Sequence, residues 1–293
     1  MNKKTMINLT IVSCSFLLGC GGSGSKKAEQ PSPTPIITTC AGQSLESGTS
    51  CITLENREAI VYKPSNTVEG IAVFLHGAPG SPKKVSKIFN AKSISDSEQL
   101  ISVSPQGINE KWGWESVNDS ANAKQADVDF IVNLLTKIRT DNNITTDKVY
   151  IFGYSAGGFM AYKLACQIPG HITAIVSLAG QYRGDFSACS TSTPVTMHHF
   201  HSPQDREVPI KGREVGEIKS VAETLAHWLL INGCSETFNT VKHPKVSSTS
   251  NGTETQTWEG CVKEVSFSAL NNVPHEASYS AEVLKQIYQP IFN

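Results

Sequence analysis

Ser155 stands in the segment Gly153-Tyr154-Ser155-Ala156-Gly157, after an apolar, β-branched run and before an Ala- and Leu-rich helical pattern. A serine in Gly-x-Ser-x-Gly between a strand and a helix is typical of a tight, strained turn that projects the hydroxyl. Glycine suits the positions two before and two after the serine, because bulk there would obstruct the turn. The following helix aims its first N–H groups at the same point, where they can stabilise a developing oxyanion. The pattern predicts that Ser155 is a nucleophile.

A serine hydroxyl is a poor nucleophile until a base takes its proton, and the base needs a carboxylate to orient it. With this type of turn, the acid and then the base follow the serine along the chain, on loops after later strands. Asp205 follows the apolar run 194–200 and is the predicted acid, with Asp185 as its competitor. His275 precedes the last predicted helix and is the predicted base, with His243 as the alternative.

An oxyanion hole needs two backbone N–H donors near the nucleophile. Ala156, directly after the serine, is the first predicted donor. Ala78 is the second, with Gly77 next, because this small-residue loop follows a buried strand; Pro79 has no N–H to donate.

Aromatic residues close to these motifs are candidates for substrate contact. His76 is also expected to support the site together with His201, and core packing is the alternative for the tryptophans. The predicted substrate-binding residues are His76, Trp112, Trp114 and Tyr154.

Buried apolar runs alternate with amphipathic helical patterns along the chain. The strands are predicted near 57–63, 70–75, 100–103, 148–152, 172–178 and 194–200. One helix is predicted to begin near residue 82, and another to follow the Ser155 turn and end near residue 167. The remaining helices are predicted at 123–141, 217–231 and 280–291. Such alternation predicts an α/β fold, with a mostly parallel central sheet and helices on both faces. The β-rich stretch 240–268 departs from it, with a turn predicted at Asn251-Gly252, and indicates a small β-hairpin insertion near the C-terminus.

The composition excludes several classes of protein. The chain has 293 residues, with 25 basic against 26 acidic side chains and no basic cluster, so nucleic acid is not an expected partner. Cys-x-x-Cys and His-Glu-x-x-His spacings are missing, and neither a metal nor a cofactor is implied. No internal repeat or second domain is evident.

The N-terminus has the pattern of an export signal. Lys3 and Lys4 precede the apolar run 6–18, and Gly19-Cys20 resembles a bacterial lipobox. The expected organisation is a signal peptide at 1–19, a flexible tether at 20–38 and a catalytic domain at 39–293. Cys20 would carry the lipid and anchor the protein to the membrane of the bacterial cell envelope, on the outer membrane or cell surface; an ordinary secreted protein is the alternative.

Six cysteines remain after Cys14 leaves with the signal and Cys20 is lipidated. An even set in an oxidising compartment predicts disulfides. Sequence alone leaves the connectivity open, and closeness along the chain suggests the pairs Cys40–Cys51, Cys166–Cys189 and Cys234–Cys261.

From about Ile71 onward, the chain resembles the α/β-hydrolase family that includes polyhydroxybutyrate depolymerases and secreted feruloyl and acetylxylan esterases. The resemblance implies the triad Ser155, Asp205 and His275 and the same cysteine pairing. The motifs that carry it are Leu75-His76-Gly77, Ser104-Pro105-Gln106-Gly107, Val149-Tyr150 through Ser155-Ala156-Gly157-Gly158, Leu164-Ala165-Cys166 and Asn232-Gly233-Cys234.

Two segments depart from that family's pattern. Where relatives read His-Gly-x-x-Asp before the acid, this chain has Ser202 and Gln204 in the segment 201–205. Where relatives read Gly-His-x-Trp around the base, this chain reads Pro274-His275-Glu276 and lacks the tryptophan. The catalytic residue types are kept, while the loops that select the substrate differ.

The resemblance implies a serine carboxylic-ester hydrolase that forms an acyl-enzyme on a small or polymeric ester, of the feruloyl, acetyl or hydroxybutyrate kind. A serine peptidase on the same fold and a binding lipoprotein without catalysis are the alternatives. The oligomeric state is not predicted.

Overall fold

The computed structural model of the protein describes residues 38–113 and 121–293. Its strands are β1 (Thr39–Cys40), β2 (Gln43–Ser44), β3 (Thr49–Leu54), β4 (Arg57–Tyr62), β5 (Gly70–Leu75), β6 (Leu100–Pro105), β7 (Val149–Tyr154), β8 (Ala174–Leu178), β9 (Thr196–His201), β10 (Phe238–His243), β11 (Gly252–Trp258) and β12 (Val265–Asn271). Its α-helices are α1 (Pro82–Phe89), α2 (Ala91–Glu98), α3 (Ala121–Asn142), α4 (Ala156–Gln167), α5 (Val221–Ile231) and α6 (Ala281–Tyr288).

Ten of these strands form one sheet in the order β10-β11-β12-β9-β8-β7-β5-β6-β4-β3. The pairs from β12 through β9, β8, β7 and β5 to β6 are parallel. The strands outside them, β10 and β11 at one edge and β4 and β3 at the other, pair antiparallel. The predicted architecture, a mostly parallel sheet, is therefore confirmed.

The side chains of β5 show how the sheet separates two cores. Ile71, Val73 and Leu75 face a core that includes apolar residues of α3 and α4, whereas Ala72 and Phe74 face a second core that includes residues of α1, α2 and α6. All five are fully buried, which explains why this strand reads as a continuous apolar run. The helices lie on both faces, as expected.

The turn between β7 and α4 is strained at the serine. Ser155 has φ 53° and ψ −117°, a backbone conformation that non-glycine residues rarely adopt. A Cβ on Gly157 would lie 2.0 Å from the carbonyl oxygen of Leu75, and one on Gly153 would lie 2.2 Å from that of Gly157. The two glycines thus let β5, β7 and the first turn of α4 approach closely, as the motif predicts.

Replacing Gly157 by alanine should destabilise the fold strongly, because the new methyl group would meet backbone atoms that cannot rotate away. We expect a loss of about 3 kcal/mol in the free energy of unfolding, measured by urea denaturation. Gly170→Ala is the matched control, since nothing lies within 4 Å of its Cβ position. Equal stability of the two variants would contradict the close approach.

Two boundaries differ from the sequence prediction. The helix predicted from Glu217 begins at Val221, because Ser220 and Glu223 form a capping box while Glu217 has a left-handed φ of 56°. The turn predicted at Asn251-Gly252 is also wrong, since Gly252 already starts β11 and pairs with Asn271. The hairpin exists between β10 and β11, across the connection 244–251.

The β-rich stretch near the C-terminus extends the main sheet. Strand β12 pairs in parallel with β9, and β11 and β10 follow it outward to the edge. The predicted β-hairpin is formed by β10 and β11, and the strand that follows them, β12, is the sixth parallel strand of the sheet. The loop after β12 therefore opens at the same edge as those after β7 and β9.

Three disulfides close short segments of the chain: Cys40–Cys51, Cys166–Cys189 and Cys234–Cys261. These are the pairs that closeness along the chain suggests. Among the helices in residues 38–113 and 121–293, none has both the length and the apolar character needed to cross a membrane.

Candidate active site

Three loops at the carboxyl edge of the sheet bring together the predicted nucleophile, acid and base. The Ser155 hydroxyl lies 2.9 Å from Nε2 of His275, and Nδ1 of His275 lies 2.6 Å from Oδ2 of Asp205. Since the carboxylate can only accept, Nδ1–H donates to it, and Nε2 is free to accept from the serine. The arrangement can move the serine proton to His275 as Oγ attacks an electrophile.

The acid is fixed by its own loop. Oδ1 of Asp205 accepts the backbone N–H groups of Glu207 and Val208, each at 2.9 Å, which leaves Oδ2 for His275. The competitor Asp185 lies at the surface, where its carboxylate caps a short turn by accepting from the Ser187 N–H. That hydrogen bond lowers the pKa of Asp185. The geometry favours Asp205 as the acid.

The alternative base lies elsewhere in the sheet. His243 ends β10, the outermost strand, and faces Thr253 of β11 in the ladder. Burial lowers the pKa of its imidazole. His275, in contrast, follows β12 and contacts both other members of the predicted triad.

Two residues at which the chain departs from the family pattern, Ser202 and Gln204, tie the loop of the acid to the loop of the base. Oε1 of Gln204 accepts the N–H of Asn272 at 2.7 Å, and Oγ of Ser202 accepts the N–H of Val273 at 3.3 Å. These bonds join the loop after β9 to the loop after β12. Their partners lie about 70 residues apart, so sequence patterns alone could not reveal them.

A second group of contacts holds the base from the opposite side. The Tyr154 hydroxyl donates to the carbonyl of His275 at 2.9 Å and to the carboxylate of Glu276 at 3.1 Å. Lys84 of α1 pairs with Glu276 at 2.7 Å. Burial would raise the pKa of Glu276, but Lys84 and Tyr154 together lower it below its usual value. The Glu276 carboxylate thus stays ionised and anchors the base loop to α1.

The loop after β5 lies against the nucleophile. A Cβ at Gly77 would be 3.2 Å from Cβ of Ser155, so the absence of a side chain at residue 77 lets this loop lie close to the serine without displacing it. The neighbouring Ala78 therefore stays the predicted second oxyanion donor, beside Ala156 at the start of α4.

His76 and Trp112 hold that loop from inside. Nδ1–H of His76 donates to the Gly77 carbonyl at 2.6 Å, and its Nε2 accepts the Gly107 N–H at 2.9 Å. The Trp112 indole donates to the His76 carbonyl at 2.8 Å. Burial lowers the pKa of His76, which keeps the ring neutral and able to accept.

Three of the predicted substrate contacts are therefore supports. His76, Trp112 and Tyr154 are only 0%, 2% and 2% exposed, which leaves almost no surface for a substrate. Their polar atoms bond to the backbone of the catalytic loops instead. Two other predicted site residues, Trp114 and the lipidation site Cys20, lie outside the described residues.

One group of side chains near the site has the composition of a metal centre. Glu207, His275 and Glu276 each have a ligand-type atom within 4.8 Å of the others. Both nitrogens of His275 already serve the triad, and Glu276 is bound by Lys84 and Tyr154. His275 and Glu276 therefore already have protein partners at the atoms that would have to bind a metal ion.

A different buried histidine makes the fold sensitive to acid. His198 packs inside the sheet with Nε2 at 2.8 Å from the Ser268 hydroxyl. Burial, assisted by His243, lowers its pKa to about 3. The folded protein therefore binds fewer protons than the unfolded chain between about pH 3 and 6.5, the usual value for histidine. The stability that His198 contributes is present above pH 6.5 and is lost as the pH falls toward 3.

We expect the free energy of unfolding, measured by urea denaturation, to fall as the pH is lowered from 6.5 to 4.5, by about 1.4 kcal/mol per pH unit from His198 alone. His198→Gln keeps a hydrogen-bonding amide but cannot titrate, so this variant should have a shallower pH dependence. The exposed His171→Gln is the control and should keep the original slope. An unchanged slope in His198→Gln would contradict the assignment.

A protein-family model matches more than half of the chain. The model described as Phospholipase/Carboxylesterase matches residues 56–246. This stretch includes Ser155 and Asp205 and ends before His275.

Curated relatives with similar sequences are esterases by name. The chain is 28% identical over 151 residues to a bifunctional acetylxylan esterase/xylanase of Neocallimastix patriciarum, covering 51% of this chain and 21% of that one. It is 28% identical over 172 residues to a probable feruloyl esterase C of Aspergillus niger, covering 58% and 55%. The chain thus spans about half or less of the length of these two relatives.

A solved structure supports the fold. The acetyl xylan esterase from Aspergillus awamori superposes with a TM-score of 0.59 at 16% identity, covering 83% of this chain and 99% of that one. The likeness confirms the predicted fold class and, at this identity, speaks for the fold alone.

Proposed function

The chain belongs to the phospholipase/carboxylesterase family of α/β-hydrolases, and on that premise we propose that it is a serine carboxylic-ester hydrolase that works through an acyl-enzyme. The observation that carries the proposal is the continuous hydrogen-bonded path from Ser155 through His275 to Asp205. Ser155 is the nucleophile, His275 the general base and then the general acid, and Asp205 the group that orients the imidazole.

The reaction follows from those roles. Ser155 Oγ attacks the ester carbonyl while Nε2 of His275 takes its proton, and the N–H groups of Ala156 and Ala78 bind the oxyanion. His275 returns the proton to the departing alcohol, which leaves an acyl group on Ser155. Water, activated by the same imidazole, then releases the acid. One oxyanion donor supplies about 3–4 kcal/mol of transition-state stabilisation.

The substrate is proposed to be an ester of a polar, hydroxyl-rich alcohol. A cavity that shares Gln106 with the surroundings of the loop after β5 is lined in part by polar and charged side chains, namely Thr53, Asn56, Arg57, Glu58, Gln106 and Asn109. The Gln106 amide donates to the Gly80 carbonyl at 3.2 Å, which connects the cavity wall to that loop. Side chains of this kind suit the hydroxyl groups of a sugar, and acetylxylan and feruloyl esterases occur among the relatives.

The protein is further proposed to be exported and anchored by a lipid on Cys20. Three disulfides fit an oxidising compartment. The apolar run 6–18 and the lipobox-like Gly19-Cys20 give the export route.

A fluorophosphonate probe with mass-spectrometric mapping tests the mechanism. We expect a single phosphonylated residue, Ser155, together with turnover of p-nitrophenyl acetate. Absence of both would favour the binding-lipoprotein alternative.

A parallel turnover screen on methyl ferulate, acetylated xylan and polyhydroxybutyrate tests the substrate class. The polar cavity predicts that acetylated xylan, whose alcohol half is a sugar, is hydrolysed faster than methyl ferulate or polyhydroxybutyrate. The reverse order would contradict the proposed alcohol half.

A further inference from the structure

A row of three buried aromatic side chains leads from helix α4 to the loop that carries Asp205. Tyr162 lies on α4, and His199 and His201 lie on β9; their exposures are 1%, 0% and 0%. The Tyr162 hydroxyl is 3.0 Å from Nδ1 of His199, and Nε2 of His199 is 3.2 Å from Nδ1 of His201. Nε2 of His201 is 2.8 Å from the Val208 carbonyl.

Only one set of proton positions satisfies all three bonds. The Val208 carbonyl can only accept, so His201 carries its proton on Nε2. Burial lowers the pKa of His201 and keeps it neutral, which leaves its Nδ1 with a lone pair. His199 must then donate from Nε2, and its own Nδ1 accepts the Tyr162 hydroxyl proton. The direction of the whole row is thus set by the Val208 carbonyl, and the Tyr162 hydroxyl, whose pKa is raised by burial, completes the row as the donor at its other end.

The row ends at Val208, a residue that also helps to hold the carboxylate of Asp205 in place. Val208 accepts from His201 through its carbonyl and donates through its N–H to Oδ1 of Asp205. Oδ2 of Asp205, which holds His275, lies only 3.7 Å from Nε2 of His201. With the opposite tautomer, the lone pair of His201 would face both the carbonyl and the carboxylate. That repulsion would displace the loop and turn Oδ2 away from His275.

We propose that Tyr162 and His199 are positioning residues that, together with the Val208 carbonyl, hold His201 in the tautomer protonated on Nε2, and that His201 thereby holds Asp205 in register with His275. None of the three reaches the substrate. The inference rests on the proposed function, since it concerns the efficiency of the same triad.

The tautomers can be read in the unmodified protein, without any turnover. Nitrogen NMR of the imidazole rings distinguishes a protonated nitrogen from one with a lone pair. We expect His199 and His201 both to carry the proton on Nε2. A proton on Nδ1 of either ring would overturn the proposal, and this readout is independent of whether the protein hydrolyses esters.

Tyr162→Phe removes the hydroxyl that donates to Nδ1 of His199 and keeps the ring. We expect kcat for p-nitrophenyl acetate to fall about tenfold, because the residue acts by orienting a catalytic side chain. KM should stay within about twofold, because the residue does not contact the substrate. The downfield proton signal of the His275–Asp205 hydrogen bond should also shift. The matched control is Tyr288→Phe, which removes another buried hydroxyl, one that donates to the Phe89 carbonyl at 3.3 Å; its kcat and downfield signal should not change.

A third variant separates positioning from packing. In His201→Gln the amide nitrogen replaces Nε2 as a donor to Val208, and an amide does not need Tyr162 to fix its tautomer. Adding Tyr162→Phe to His201→Gln should therefore cost less than about twofold in kcat. The same tenfold loss in both backgrounds would mean that Tyr162 acts by packing and would sink the proposal. If the unmodified protein neither hydrolyses p-nitrophenyl acetate nor reacts with the fluorophosphonate probe, the proposed function itself is refuted.

Discussion

Ser155→Ala is expected to abolish ester turnover and leave the fold intact. The alanine has no oxygen to form the acyl bond, so kcat should fall by about 10⁴- to 10⁶-fold, to what the oxyanion donors and binding alone provide. The backbone strain at residue 155, with φ 53°, is the same for either side chain. We therefore expect the urea midpoint of the variant to match that of the unmodified protein.

The measurement is p-nitrophenyl acetate hydrolysis beside urea denaturation of the same preparation. Ser235→Ala, at an exposed serine outside the three catalytic loops, is the matched control and should keep full turnover. Retention of more than about a hundredth of the activity in Ser155→Ala would reject this serine as the nucleophile.

Asp205→Asn should cost about 10⁴-fold in kcat with the loop geometry kept. The amide oxygen would accept the N–H groups of Glu207 and Val208, which turns the amide nitrogen toward His275. Nδ1 of His275 must then accept, so its proton moves to Nε2. In that tautomer the imidazole cannot take the proton of Ser155.

Asp185→Asn provides the matched control, since Asp185 is the other aspartate that follows a strand at the correct place in the chain. It lies at the surface and caps a turn, so kcat should change by less than about twofold. A larger loss in Asp185→Asn than in Asp205→Asn would reverse the assignment of the acid. Because both aspartates follow a strand, comparing the two variants also tests whether the order of strands along the chain is enough to identify the acid of a triad.

Local signals in the sequence predicted the parts of the site that depend on local geometry. Gly153 and Gly157 are needed because the backbone around the serine is close-packed, and that demand is visible in five consecutive residues. Strand order then predicts Asp205 and His275 as acid and base, because parallel strands deliver their following loops to one edge of the sheet, and the structure brings both side chains together with Ser155.

The parts that failed depend on contacts between distant segments. Trp112 reads equally well as a substrate contact or as a core residue, and only the contact of its indole with the His76 carbonyl, across 36 residues, identifies it as a buried support. Asn251-Gly252 reads as a two-residue hairpin turn, but the real connection is longer and Val246 within it is buried. The hydrogen bond from Ser280 to the Val246 carbonyl, at 2.6 Å, helps to fix that connection, and no local pattern encodes it.

The disulfides have a consequence for how the chain could acquire its covalent structure. From residue 38 onward, each cysteine bonds to the next unpaired cysteine in the sequence, with separations of 11, 23 and 27 residues. A chain threaded N-terminus first into an oxidising compartment would present the two members of each pair before the first member of the next. Oxidation in that order would yield the native bonds without a reshuffling step.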